Sequence, residues 1–203
     1  VVALANGSAE IIASLGHLDI LVGRDVASDV VSLESVEVVT SGHQIVAEKI
    51  LSLNPDLVIV DALSGPSSAL LAIESAGIRI AKISEAWTLN DIDRKVSEIA
   101  QAIGTVDEGK NLIAALQIST SSVKQIPAGT RIAFLYLRGG SAIYLIGGKG
   151  SGTDSLISAI GGVDAGAQEF ENPFTPMTAE AIATLNPDIF LVMSTGLESV
   201  GGD

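Results

Sequence analysis

No cysteine occurs among the 203 residues, which removes thiol nucleophiles, zinc–thiolate centres and disulfides together. Aromatic residues are nearly as scarce: four Phe, two Tyr and one Trp. The side chains able to act as soft or aromatic metal ligands therefore reduce to His17, His43, Tyr136, Tyr144, Met177 and Met193. Basic residues are few as well. Eleven Lys and Arg stand against 24 Asp and Glu, a formal net charge of −13. Neither a nucleic-acid backbone nor an anionic membrane surface is an expected partner for such a chain. Long hydrophobic runs are also missing: no stretch reaches the ~18 uninterrupted apolar residues of a membrane span. No basic segment followed by an apolar stretch opens the sequence, which leaves secretion open.

What is present is a folded α/β pattern. Hydrophobic residues make up 47% and the mean hydropathy is +0.48, which excludes disorder. The spacing predicts strands over Val1–Ala5, Ile20–Val22, Leu57–Val60 and Ile78–Ile83. It predicts helices from Ser8, as cap, to Leu15, and over His43–Leu53 and Ser67–Ala76. From Leu89 to about Val123 apolar residues fall at helical spacing with only Gly104 and Gly109 interrupting, which reads as one long helix. The pattern then restarts with strands Arg131–Leu137, Ser141–Ile146 and Asp188–Met193 and helices Thr153–Ile160 and Ala179–Leu185. The expected fold class is α/β. An N-terminal αβ lobe over residues 1–88 and a C-terminal αβ lobe over 127–203, each with a parallel sheet, are joined by an inter-lobe helix over 89–126.

An internal repeat supports two lobes. Ala47-Glu48, Ile50, Leu53-Asn54-Pro55-Asp56 and Val60 recur as Ala179-Glu180, Ile182, Leu185-Asn186-Pro187-Asp188 and Val192 at identical offsets. After its copy the first lobe runs on through a helix and a strand. The second has only Ser194–Asp203, so by the repeat's logic a closing helix and strand are missing and the C-terminal lobe looks incomplete.

Two αβ lobes, one connecting helix and matched Ala-Glu…Leu-Asn-Pro-Asp segments resemble the metal-chelate class of substrate-binding proteins of ABC importers. Within that class, Val39-Thr40-Ser41-Gly42-His43-Gln44-Ile45, Phe134-Leu135-Tyr136-Leu137-Arg138-Gly139, Tyr144-Leu145-Ile146-Gly147-Gly148 and Pro173-Phe174-Thr175-Pro176-Met177-Thr178 are similar to the haemin-importer type, HmuT. So is Val192-Met193-Ser194-Thr195-Gly196-Leu197-Glu198 with Ser199-Val200-Gly201-Gly202. The resemblance covers essentially the whole chain. It implies a binding protein, not an enzyme, that holds haem b in a cleft between lobes and delivers it to an ABC permease dimer. It also implies an extracytoplasmic setting, periplasmic or as a cell-surface lipoprotein. A lipid-bearing cysteine would lie outside these residues. The implied iron ligands are His43 and Tyr136, with Arg138 beside the tyrosine, and Glu48 and Glu180 would dock on the two permease subunits.

The residues fit that chemistry while leaving alternatives. His43, opening the predicted helix, would be kept neutral by the positive end of the helix dipole; a simple capping role competes. Tyr136 and Arg138 share a face by strand alternation, and a guanidinium favours phenolate, a hard donor for ferric iron. Tyr144 is the rival ligand. Met193 would touch the porphyrin or simply pack, and Trp87 would wall the cleft or pack at the hinge. His17 reads as structural. The run Gly147-Gly148-Lys149-Gly150-Ser151-Gly152-Thr153 lacks Walker spacing, because Gly150 and not Ser or Thr follows Lys149. Its amides remain a candidate anion site for a propionate. Competing expectations are a ferric siderophore or corrinoid, or a nucleotide-using enzyme on a Rossmann-like scaffold. The small number of arginines, five, argues against anionic siderophores, and the missing phosphate fingerprint argues against the enzyme.

Overall fold

The computed structural model describes residues 1–42 and 44–202. The chain divides into two units, Val1–Ala86 with Asn90–Gln117, and Trp87–Leu89 with Ile118–Asp203. The first unit runs β1 (Val2–Ala3), α1 (Ser8–Ser14), β2 (Gly23–Arg24), β3 (Glu37–Val38), β4 (Thr40–Ser41), β5 (Gln44–Ile45), α2 (Ala47–Ser52), β6 (Leu57–Val60), α3 (Ser67–Ser75) and β7 (Arg79–Lys82). It continues with α4 (Leu89–Ile103) from Asn90 on and α5 (Val106–Ser121) as far as Gln117.

Its main sheet is wholly parallel, in the order β3-β2-β1-β6-β7. β6 explains why. All four of its residues are buried, as in a central strand covered on both faces. Leu57 and Ile59 point to one side with Ile12 of α1 and Ile99 of α4. Val58 and Val60 point to the other with Ile50 of α2 and Ile73 of α3. One period-two strand thus organises two separate cores.

Several expectations shift locally. Gly7, left-handed at φ 73°, takes the cap position of α1, while the Ser8 hydroxyl donates back to the Ala5 carbonyl. Where a strand was expected over Ile20–Val22, Ile20 ends a short 3-10 turn that starts at Leu18, and the pairing moves to Gly23–Arg24. There a β-carbon on Gly23 would meet Val39 Cγ1 at 2.9 Å, so the slot beside β1 wants glycine. The helix expected from His43 begins at Ala47, because Gln44 and Ile45 are extended and the Ile45 N–H donates to the Gly65 carbonyl. The long helix is two helices. Gly104, at φ 81°, ends the first in the left-handed conformation that glycine adopts freely.

The second unit runs β8 (Arg131–Arg138), β9 (Ile143–Gly147), α6 (Thr153–Ala159), β10 (Val163–Asp164), α7 (Ala165–Glu169), β11 (Phe174–Pro176), α8 (Ala179–Leu185), β12 (Ile189–Val192) and α9 (Ser194–Ser199). Its sheet is mixed where a parallel one was expected. β10 and β12 run parallel to β8, but β9 returns antiparallel through a tight connection, and β11 is antiparallel to β9. Ala133, Ile146, Ala165 and Leu185 form its core.

The sequence repeat is a structural repeat. Asn54 and Asn186 both take the left-handed conformation, at φ 46° and 40°, ending α2 and α8 alike. Val58 then pairs with Val2 as Phe190 pairs with Ala133.

Candidate ligand-binding site

Open α/β sheets bind ligands at the carboxyl ends of their parallel strands, and in the second unit Tyr136 and Arg138 lie at that end of β8. In the first unit, the segments leaving the strands enclose a hollow of about 340 Å³ lined by Asn6, Asp25, Thr40, Gly42, Asp61 and Leu63, among others. Beside it stands the β4–β5 ladder, with Thr40 opposite Ile45 and Ser41 opposite Gln44. The ladder is tied down at both ends. The Val26 N–H donates to Thr40 Oγ1 at 3.0 Å, and the Ile45 N–H to the Gly65 carbonyl at 2.8 Å. His43, the implied iron ligand of this unit, lies outside the described residues. Its neighbour Gly42 lines the hollow. Since α2 begins only at Ala47, the helix-dipole argument for a neutral imidazole does not apply at that position.

Two residues that sequence reasoning missed organise this edge. Asp61, just beyond β6, is buried. Its Oδ2 accepts the Asn6 N–H at 3.0 Å, and its Oδ1 accepts the Leu63 N–H at 3.1 Å and the Ser64 hydroxyl at 2.9 Å. Lys95, on α4, is buried with it. Burial pushes the Lys95 ammonium down, and the surrounding carboxylates of Asp61, Glu85, Glu98 and Glu10 partly restore it. The signal was present: Lys95 falls at helical spacing with Ile92, Val96 and Ile99, so it sits on the buried face of α4.

In the second unit, register sorts the candidates by face. Tyr136 lies opposite Leu145 and Arg138 opposite Ile143, so both tyrosine and arginine share one face of β8. Leu191, opposite Phe134, is on the same face, and alternation carries Met193 there too. The Tyr136 ring lies 5.8 Å from that of Phe174, tilted by 58°. Tyr136 is half-buried, and the exposed Arg138 guanidinium has no hydrogen-bond or ion-pair partner among the described residues. Tyr144 lies opposite Leu137, on the other face, away from Tyr136. Trp87 is 54% exposed, and its carbonyl lies where a β-carbon on Gly152 would stand 3.1 Å away. His17 precedes the 3-10 turn Leu18–Ile20, where its carbonyl accepts the Ile20 N–H.

The glycine run is accounted for by packing. The Gly148 and Lys149 amides donate to the Pro173 and Phe170 carbonyls, each at 2.9 Å, and the Ser151 amide to Gly148 at 3.1 Å. These three amides are therefore spent within the fold. A β-carbon on Gly147 would meet Phe134 at 2.8 Å. Nearby, the buried Asp164 caps α7, its Oδ1 accepting the Ala167 N–H at 2.9 Å while Oδ2 has no hydrogen-bond partner among the described residues. Burial pushes this carboxyl up, against the opposing pull of the Ala167 and Gly166 amides. Glu48 and Glu180 are exposed in the first turns of α2 and α8. Among the described residues no group of three or more His, Asp or Glu is placed to hold a metal ion, and no helix is long and apolar enough to cross a membrane.

The sequence pattern described as periplasmic binding protein matches residues 1–202. A crystal structure of a variant of the heme-binding protein HmuT superposes with a TM-score of 0.86 at 36% identity, covering 99% of this chain and 64% of that one. An ABC transporter substrate-binding lipoprotein of Bacillus subtilis strain 168, YvrC, is 26% identical over 98% of this chain and 64% of its own length. The vitamin B12-binding protein of Vibrio campbellii is 23% identical over 99% of this chain and 73% of its own. The chain thus spans less than two thirds of the first two relatives.

Proposed function

The chain belongs to the periplasmic binding protein family, and on that premise we propose that it captures ferric haem outside the cytoplasm and hands it to a cognate ABC permease. The observation that carries this reading is the single sheet face that gathers Tyr136, Arg138 and Met193 with the Phe174 ring. A phenol supplies a hard anionic donor for ferric iron. The exposed Arg138 guanidinium on the same face suits a propionate, and a ring and a thioether suit a flat macrocycle. In this reading His43 supplies the second axial ligand, and Glu48 and Glu180 meet the permease. The ligand is carried unchanged and no catalytic step is assigned. Haem b is the form taken up, and a lipid anchor outside these residues holds the protein at the membrane.

Corrinoid capture is the second reading, favoured by the likeness to the Vibrio protein. A Soret titration with ferric haemin separates the two. One-to-one saturable binding is expected, with the band shifted in Tyr136→Phe and His43→Ala and unmoved in Tyr144→Phe. Tight binding of cyanocobalamin with no response to haemin would replace haem by a corrinoid.

A further inference from the structure

The first unit's hollow has an apolar tenant at its mouth that the iron-ligand reading does not use. Leu63 lines the hollow together with Gly42 and yet is 69% exposed. Exposed leucines are ordinary when they sit singly on an outer helix face, as Leu71 does on α3. Leu63 differs because its loop is held rigidly. Its own N–H and the Ser64 hydroxyl are bound by the buried Asp61 carboxylate, whose other oxygen holds Asn6 of the β1 segment. Two residues further on, the Gly65 carbonyl takes the Ile45 N–H, which locks the loop to the β4–β5 ladder. An apolar side chain is thus kept out in water by four protein hydrogen bonds, next to the residue that precedes His43.

The charges around it narrow what it can touch. Asp25 and Asp61 line the hollow, and among the described residues no Lys or Arg does. Two cations close to these aspartates are buried and already engaged: Arg24 donates to the Leu33, Val36 and Asp25 carbonyls, and Lys95 faces carboxylates. Such a wall repels a ligand's carboxylates and accepts an uncharged apolar edge.

From this geometry we infer that Leu63 is a ligand-contacting, specificity-determining residue that packs on the apolar part of the macrocycle, with Asp61 as the positioning residue that presents it. The inference rests on the haem reading. Covering the exposed part of one leucine is worth about a five- to tenfold change in affinity. Leu63→Ser should therefore raise the haemin dissociation constant by about that factor, with the Soret position and the thermal midpoint unchanged, because iron ligation and core are untouched. Leu63→Met should restore the affinity. An unchanged constant in Leu63→Ser overturns the inference while leaving haem capture in place, and so does a loss of affinity that comes with a lowered thermal midpoint. Failure of the wild type to bind haemin overturns the haem reading and this inference with it.

Discussion

The two copies of the repeat share a turn and differ in almost everything around it. In both, an asparagine in the left-handed conformation ends a helix and Pro-Asp leads into a strand. In the first, the strand β6 lies between β1 and β7 and its residues are 0–2% exposed. In the second, β12 pairs with β8 alone among the described residues, and Ile189, Phe190 and Leu191 are 46%, 48% and 38% exposed. Sequence similarity therefore transmits the turn, which is a local backbone preference. Burial is set by neighbouring strands and helices, which the motif does not encode.

A second pair makes the same point with charge. Each unit buries one aspartate just past a parallel strand, Asp61 after β6 and Asp164 at the end of β10. Asp61 has donors on both oxygens and a lysine facing it, whereas Asp164 leaves one oxygen without a partner among the described residues.

The comparison can be broken most forcefully at the strands. Ile59→Ala should cost about 3 kcal/mol by denaturant unfolding, and Leu191→Ala under about 1 kcal/mol. Equal costs would mean that β12 is as enclosed as β6. The aspartates come next. Asp61→Asn should destabilise by about 2 kcal/mol, since two bound amides, a hydroxyl and Lys95 lose their carboxylate. Asp164→Asn should do the reverse. Its folded pKa is raised, so the stability it contributes is complete at acid pH and is lost as pH rises through the folded value. The Asn variant escapes that loss, and its advantage over wild type should grow from acid towards neutral pH to about 1 kcal/mol. A constant or shrinking advantage would contradict the burial argument. The smallest effect tests what the copies share: Asn54→Gly and Asn186→Gly should each stay within about 0.5 kcal/mol of wild type, since glycine accepts the left-handed conformation.

Much of this was legible in the sequence, and the remainder was hidden for identifiable reasons. β6, α3, β7 and α8 announce themselves by periodicity and by the turn chemistry around Pro55 and Pro187. β4 and β5 do not, because two-residue strands are shorter than any pattern and exist only through partners such as Gly65. Gly104 and Gly109 look equivalent in one dimension. Only the first ends a helix; the second sits inside α5, where a β-carbon would come within 2.6 Å of Ala100. In the candidate site, the shared face of Tyr136 and Arg138 follows from strand alternation alone. The opposite face of Tyr144 depends on the register of the β8–β9 hairpin, which no spacing fixes. Asp61 and Lys95 escaped because their importance is electrostatic and arises from four segments brought together.

The strand order β3-β2-β1-β6-β7 also bears on how quickly the first unit can be assembled. Its middle strand, β1, must find Gly23 on one side and the distant Val58 on the other. Each pairing closes a long loop before any contact repays the lost chain entropy, so the search is dominated by remote encounters. A stopped-flow refolding trace should accordingly be slower than that of a helical bundle of equal stability. Until β6 arrives, the apolar edge of β1 stays open to pairing with the wrong strand.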